Sequence, residues 1–269
     1  MTVRELLQRS SIDRGETEIL LTHVLEVERA WLFAHGDEHL DDAALNAFGK
    51  LVEARRSGEP LAYLIGYRDF RTLRLKVSRH VLIPRRETEH LVEWAIERID
   101  AGAQRVLDLG TGSGAVALAC KSERPAAELT ALDCSVDALE CANANAQSLG
   151  LQVEWFLSDW FSQLPPAVWD LVVANPPYIA ATDAHLQHGD LPAEPESALV
   201  GGKTGLESIQ HIVEHAPKRL VVGGWLLLEH GFDQADAVAQ CLSDRGFENI
   251  ETRKDWSGHA RITGGQWPD

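Results

Sequence analysis

The spacing of apolar residues changes twice along the chain, near residue 60 and again near residue 105. Up to about residue 59 the period is helical. In Glu18-Ile19-Leu20-Leu21-Thr22-His23-Val24-Leu25 apolar positions recur at three and four. Asp41-Asp42 opens a further helix, with Leu45, Phe48, Leu51 and Val52 along one face and an aspartate at its cap. Ser57-Gly58-Glu59-Pro60 ends it. From Phe70 to Val77 the pattern turns to alternation, Leu73, Leu75 and Val77 against Arg74 and Lys76, which predicts a β-hairpin. Leu91, Val92, Trp94, Ala95 and Ile96 return to helical spacing, with Thr88 or the adjacent acids expected at the cap.

From residue 105 short apolar runs alternate with helical stretches. Strands are predicted at 105–109, 128–132, 151–157, 169–174 and 220–228, with two shorter ones near 247–252 and 261–262. Helices are predicted at 115–120, 138–148 and 205–216. Residues 175–200 form a loop rich in Pro, His and Asp, of a length that usually carries function. The pattern predicts an α/β fold: a doubly wound, seven-stranded, Rossmann-like sheet. An N-terminal helical bundle (1–59) and a linker with a β-hairpin (60–83) precede this domain (84–269).

Composition narrows the partners. A net charge of −16 makes the molecule as a whole repel nucleic acid, so no stable nucleic-acid partner is expected. The acidity is uneven. Arg68, Arg71, Arg74, Lys76, Arg79, Arg85 and Arg86 face only three acids between Arg68 and Glu89, which reads first as a solvated hairpin face. Cys120, Cys134, Cys141 and Cys241 lack paired metal spacing and fit a reducing compartment. No metal is expected. Met1-Thr2-Val3-Arg4-Glu5 lacks a signal-peptide core, and Leu220–Leu228 is too short to span a bilayer. A soluble, cytoplasmic, monomeric protein is expected.

Two stretches carry chemistry. Gly110-Thr111-Gly112-Ser113-Gly114 follows a strand and opens a helix, so backbone N–H groups face whatever binds there. Asp133 ends the next strand, where a carboxylate can accept both ribose hydroxyls. Both features serve a nicotinamide dinucleotide and S-adenosylmethionine equally. The second stretch, Asn175-Pro176-Pro177-Tyr178, lies just past the buried run Leu171-Val172-Val173-Ala174. Asn175 offers a side-chain carbonyl, Pro176 a backbone carbonyl without an N–H, and Tyr178 an aromatic wall. A stiff pair of acceptors beside a ring suits a planar –NH2 group and tips the balance to methyl transfer.

At these residues the chain resembles class I S-adenosylmethionine-dependent methyltransferases, and more narrowly the HemK-type peptide chain release factor glutamine methyltransferases. The resemblance runs nearly end to end. It includes Gly58-Glu59-Pro60-Leu61-Ala62-Tyr63, Leu82-Ile83-Pro84-Arg85 with Thr88-Glu89, Asp108 to Gly114, Ser158-Asp159-Trp160, Asn175 to Ile179 and Leu228-Glu229-His230-Gly231. It implies that Gly110, Thr111, Gly112, Ser113 and Gly114 line the methionine part of S-adenosylmethionine. Asp133 would hold the ribose, and Asp159 and Trp160 would flank the adenine. Asn175, also beside the cofactor, and the Pro176 carbonyl would bind the target amide, with Pro177 and Tyr178 completing the grip. The implied substrate is the glutamine of the Gly-Gly-Gln loop in class 1 release factors, docked with help from the N-terminal bundle.

The chain departs from the family at Arg86, which stands where a proline is common. It also lacks an acid before Gly205 in Gly202-Lys203-Thr204-Gly205. The alternatives are a nucleic-acid exocyclic amine methyltransferase, which would need a base-flipping surface, and a non-catalytic adaptor. The C-terminal Gly264-Gly265-Gln266 repeats the implied substrate tripeptide and is read as coincidence.

Overall fold

The computed structural model describes residues 1–268. The chain forms two compact units, Met1–Tyr67 and a second from Arg68 onward. The first is all helix: α1 (Val3–Arg9), α2 (Arg14–Leu25), α3 (Arg29–Ala34), α4 (Asp42–Arg56) and α5 (Leu61–Ile65). Its start is fixed by a capping box, in which Thr2 Oγ1 accepts from Glu5 N while the Glu5 carboxylate accepts from Thr2 N. Asp13 and Asp41 cap α2 and α4 by accepting from backbone N–H groups. Leu20, Leu21, Leu32 and Phe48 form the core. Glu18 is buried among them and tolerated because Arg14 and Arg29 hold its two oxygens.

In the second unit the expected hairpin is β1 (Tyr67–Phe70) and β2 (Leu73–Lys76). There follow α6 (Thr88–Asp100), β3 (Arg105–Leu109), α7 (Ala115–Glu123), β4 (Glu128–Asp133), α8 (Val136–Leu149), β5 (Glu154–Leu157) and β6 (Trp169–Ala174). The chain ends with α9 (Glu196–Leu199), α10 (Glu207–His215), β7 (Leu220–Glu229), α11 (Ala235–Arg245), β8 (Glu248–Lys254) and β9 (Ala260–Gln266). The seven-stranded sheet is the predicted one, in the order β5-β4-β3-β6-β7-β9-β8. Strands β3 to β7 pair in parallel and β9 runs antiparallel to both β7 and β8. One face packs on a core around Leu91, Trp94 and Leu118, the other on a core around Ile212, Leu226 and Leu242.

Three local differences from the sequence reading have physical causes. β5 starts at Glu154, not 151, because Gly150 turns left-handed at the end of α8 and Leu151 N donates back to Ala146 O. The helix α11 went unread because only Val238 and Leu242 mark its buried side. Of the two expected kinds of cap for α6, the adjacent acid Glu87 takes the position, but without the expected side-chain bond, and the Thr88 hydroxyl is engaged with Asn175. The Gly-Gly-Gln tripeptide lies inside β9. A Cβ on Gly264 would sit 2.5 Å from Leu227 Cδ2, and Gln266 Nε2 donates to Gly223 O at 2.9 Å. Packing accounts for these residues.

Strand register sets the site. Leu109 lies opposite both Leu132 and Ala174, and Ala174 lies opposite Leu228. Gly110, Asp133, Asn175 and Glu229 therefore leave the sheet along one edge. The chain steps from β3 outward to β5 on one side and from β6 outward on the other. That edge lies at the switch point where doubly wound sheets bind ligands.

Candidate active site

A cleft of about 490 Å³ opens at this edge, walled by Gly110, Gly112, Asp133, Trp160, Asn175 and Pro177. Asp159 also borders it and is exposed. A smaller recess of about 50 Å³ shares Gly110, Gly112 and Asn175 with it and adds Thr88, Thr111 and Ser113. Gly114, Pro176 and Tyr178 line neither.

The glycine loop is shaped by its own backbone. Gly110, Gly112 and Gly114 all have positive φ, at 71°, 57° and 85°. Gly112 N donates to Asp133 Oδ2 at 2.9 Å, and Ser135 N donates to Asp133 Oδ1 at 3.0 Å. Each carboxylate oxygen keeps a further lone pair for a ligand. Thr111 points inward: its hydroxyl donates to Asp108 Oδ2 at 2.7 Å, and Ala117 N donates to the same oxygen at 3.2 Å. Asp108 is buried, and burial pushes its pKa up to about 6 against the pull of those two donors. The loop thus turns on a buried carboxyl group at its base.

Trp160 lies against this loop, with its ring 3.7 Å from where a Cβ of Gly110 would stand. Its backbone is left-handed, φ 47°, an uncommon conformation for a large residue. Ser158 Oγ supports it by donating to Trp160 O at 2.7 Å.

Asn175 is the hinge between the two cavities. Its Nδ2 donates to Thr88 Oγ1 at 3.1 Å. In this orientation the carbonyl oxygen is the group available to a ligand. Pro176 is buried and Pro177 half-buried. Burial pushes the Tyr178 pKa up, so the ring is a neutral phenol.

The tetrapeptide is clasped by residues that sequence reasoning did not single out. Ile179 N donates to Leu199 O at 3.0 Å, Gly201 N to Ile179 O at 2.9 Å, and Gln234 Nε2 to Tyr178 O at 3.0 Å. A Cβ on Gly201 would lie 2.3 Å from Pro177 O. Glu194 is buried, ion-paired with Arg85, and accepts from Ile83 N at 3.1 Å. It ties the long loop to the Pro84-Arg85 segment. The basic run is also partly neutralised. Arg71 pairs with Glu123 at 2.6 Å and Arg74 with Asp69 at 2.8 Å. The signals for the clasp were the paired glycines 201 and 202 and the length of the preceding loop.

Two sequence families match the chain, the PrmC N-terminal domain over residues 2–66 and the methyltransferase small domain over 88–190. The release factor glutamine methyltransferase of Xylella fastidiosa is 49% identical over 259 residues, 96% of this chain and 94% of that one. The Escherichia coli protein of the same name is 44% identical over 262 residues, 97% and 95% of the two chains. The chain belongs to the release factor glutamine methyltransferase family. The fold of this family member recurs in a methyltransferase from Pyrococcus furiosus, which is 17% identical with a TM-score of 0.57. That match covers 73% of this chain and 90% of the other. Among the described residues no helix is long and apolar enough to cross a membrane.

Proposed function

We propose that the chain transfers a methyl group from S-adenosylmethionine to the side-chain amide nitrogen of the glutamine in the Gly-Gly-Gln motif of class 1 release factors. The observation that carries this reading is the orientation of Asn175. Its NH2 is tied to Thr88, so its oxygen is an acceptor for an incoming N–H. Although Pro176 lines neither cavity, its carbonyl, from a residue with no N–H to compete, is the second proposed acceptor. Two acceptors fit the two hydrogens of a primary amide.

The cleft suits the donor molecule. Asp133 has lone pairs for ribose hydroxyls, the glycine loop presents backbone to the methionine part, and Trp160 with Asp159 borders the space assigned to the adenine. Bound there, S-adenosylmethionine supplies a methyl group on a positively charged sulfur. The chain's own residues supply position. An amide nitrogen is a poor nucleophile because its lone pair is shared with the carbonyl. Holding both N–H groups aims it and avoids the entropy loss of a chance encounter, worth about 7–11 kcal/mol in favourable cases. Acceptors that strengthen their bonds as the nitrogen gains positive charge stabilise the transition state, and the methylated nitrogen then gives up one proton to water. Tyr178, neutral and packed against the core around Leu226, is not a base.

The helical unit is proposed to dock the release factor. Its Phe33 side chain stands exposed to solvent. One chain carries every residue of the proposed site, so a monomer suffices. Labelled S-adenosylmethionine offered in parallel with a release factor, RNA and duplex DNA tests the reading. Label is expected on the release factor alone, and on its Gly-Gly-Gln glutamine. Label on nucleic acid instead would replace this reading with the amine-methylating alternative.

A further inference from the structure

Glu229 ends β7 and is fully buried, yet among the described residues neither carboxyl oxygen meets a partner of full hydrogen-bond geometry. A buried carboxyl group in that state destabilises the fold and calls for a role outside packing. The register places it beside Asn175 at the sheet edge. The Thr88 hydroxyl, itself buried, lies on its side of the site as a hydrogen-bond donor that favours its charged form. That hydroxyl already accepts from Asn175 Nδ2. A hydroxyl has one proton and two lone pairs. Having accepted from Asn175, Thr88 has its proton left to give, and Glu229 is the acceptor beside it.

The geometry points to Glu229 as a positioning residue: its carboxylate draws the Thr88 proton, which turns a Thr88 lone pair to Asn175 Nδ2 and leaves Asn175 Oδ1 facing the substrate amide. Only the last link rests on the function proposed above. Protonating Glu229 permits the opposite sense. Glu229 then donates to Thr88, Thr88 donates to Asn175 Oδ1, and the asparagine amide presents NH2 groups to a substrate that also brings N–H groups.

The surroundings leave Glu229 titratable near neutrality. Arg85 and Glu87, ahead of α6, act on it with opposite sign, and Arg261 of β9 favours its charge. Both arginines are committed elsewhere, Arg85 to Glu194 and Arg261 to Asp255. The Tyr178 phenol and the adjacent His230, whose pKa burial lowers, are neutral. Burial therefore dominates and pushes the Glu229 pKa up to about 7. The sign of each effect follows. The stability that Glu229 contributes is fully present below its ordinary value of 4.5 and is lost as pH rises through about 7. Activity moves the other way and rises as the carboxylate forms.

The test follows the Asn175 side-chain NH2 resonances in asparagine-labelled full-length protein across pH, alongside turnover. In the wild type these resonances are expected to shift with a midpoint near that of Glu229, and in Glu229→Gln to stay flat. At pH 8, Glu229→Gln is expected to lower kcat on a release factor at least tenfold, leave KM within threefold, and raise the thermal midpoint. Misfolding would not give that combination. Thr88→Val is expected to lower kcat similarly, and the double variant to lose no more than either single one. A titration retained in Glu229→Gln, or kcat within twofold of wild type, overturns the inference. A wild type that leaves the release factor unmethylated would instead defeat the proposed function, and the resonances would still decide whether Glu229 governs Asn175.

Discussion

The glycine loop and the tetrapeptide leave the sheet from adjacent strands, Gly110 after β3 and Asn175 after β6, yet different forces hold them. The glycine loop is shaped by nearby chain: its own positive φ angles, Asp108 at its base and Asp133 on the next strand. The tetrapeptide is stiff in itself but is aimed from a distance. Thr88, 87 residues earlier, sets the Asn175 amide. Leu199, Gly201 and Gln234 hold the backbone after it. A part built locally can be damaged locally. A part aimed from afar can be disabled by residues that touch no ligand.

The largest effect is expected from Asn175→Ala. It removes one of two proposed acceptors and nothing from the glycine loop. Removing one preorganised hydrogen-bonding group from an active site typically lowers kcat by about 10²–10³. Calorimetry is expected to find a far smaller loss of S-adenosylmethionine affinity than of turnover, because Asn175 is one wall of a cleft that the glycine loop, Asp133 and Trp160 still form. Turnover kept within a few-fold would refute the amide grip and erase the distinction between the two sides.

Gly201→Ala is next. Its Cβ would fall 2.3 Å from Pro177 O and 2.9 Å from Gly205 O, both backbone atoms that cannot swing away. Overpacking of this kind costs about 2–3 kcal/mol, read by chemical denaturation. Turnover is expected to drop with stability while cofactor affinity holds. Equal loss of both would mean that the clasp supports the whole cleft.

The same comparison explains what the sequence disclosed. The glycines, Asp133 and the buried run before Asn175 were legible because each acts within one strand–loop–helix unit, where spacing carries meaning. The seven strands were legible for that reason too. The sequence narrows the α6 cap to Thr88 or an adjacent acid, and Glu87 takes the position; the other use of the Thr88 hydroxyl stays hidden because only the fold shows that Asn175 is in reach. Glu194, buried beneath Arg85, looks like any loop acid in the sequence. α11 was silent because two buried side chains in eleven residues make too faint a periodicity.

Thr111→Val sharpens the local side. The hydroxyl donates to Asp108 Oδ2 and favours the ionised carboxyl, which burial otherwise resists up to about pH 6. A hydrogen bond to a charged group is worth about 1.5–2 kcal/mol. Because the bond favours the charged form, the loss is expected in full above that pKa and should shrink below it as Asp108 becomes neutral in both proteins. Denaturation at pH 8 and at pH 5 is expected to show the larger difference at pH 8. The reverse order would place the proton elsewhere.

Gly112→Ala should be the mildest change and isolates backbone shape from crowding. Among the described residues a Cβ there meets nothing within 4 Å, so none of their side chains has to move. What remains is the φ of 57°, a left-handed conformation that disfavours a non-glycine residue by about 1–2 kcal/mol. Part of that is relieved if the loop relaxes, at the expense of the Gly112 N to Asp133 bond and of the cavity wall. S-adenosylmethionine affinity is therefore expected to weaken about five- to tenfold, equal to about 1 kcal/mol, with kcat at saturating donor nearly unchanged. That is the mirror image of Asn175→Ala. Should kcat fall and affinity hold, the glycine loop would act on the reacting amide, and the division between a locally built donor side and a remotely aimed acceptor side would have to be redrawn.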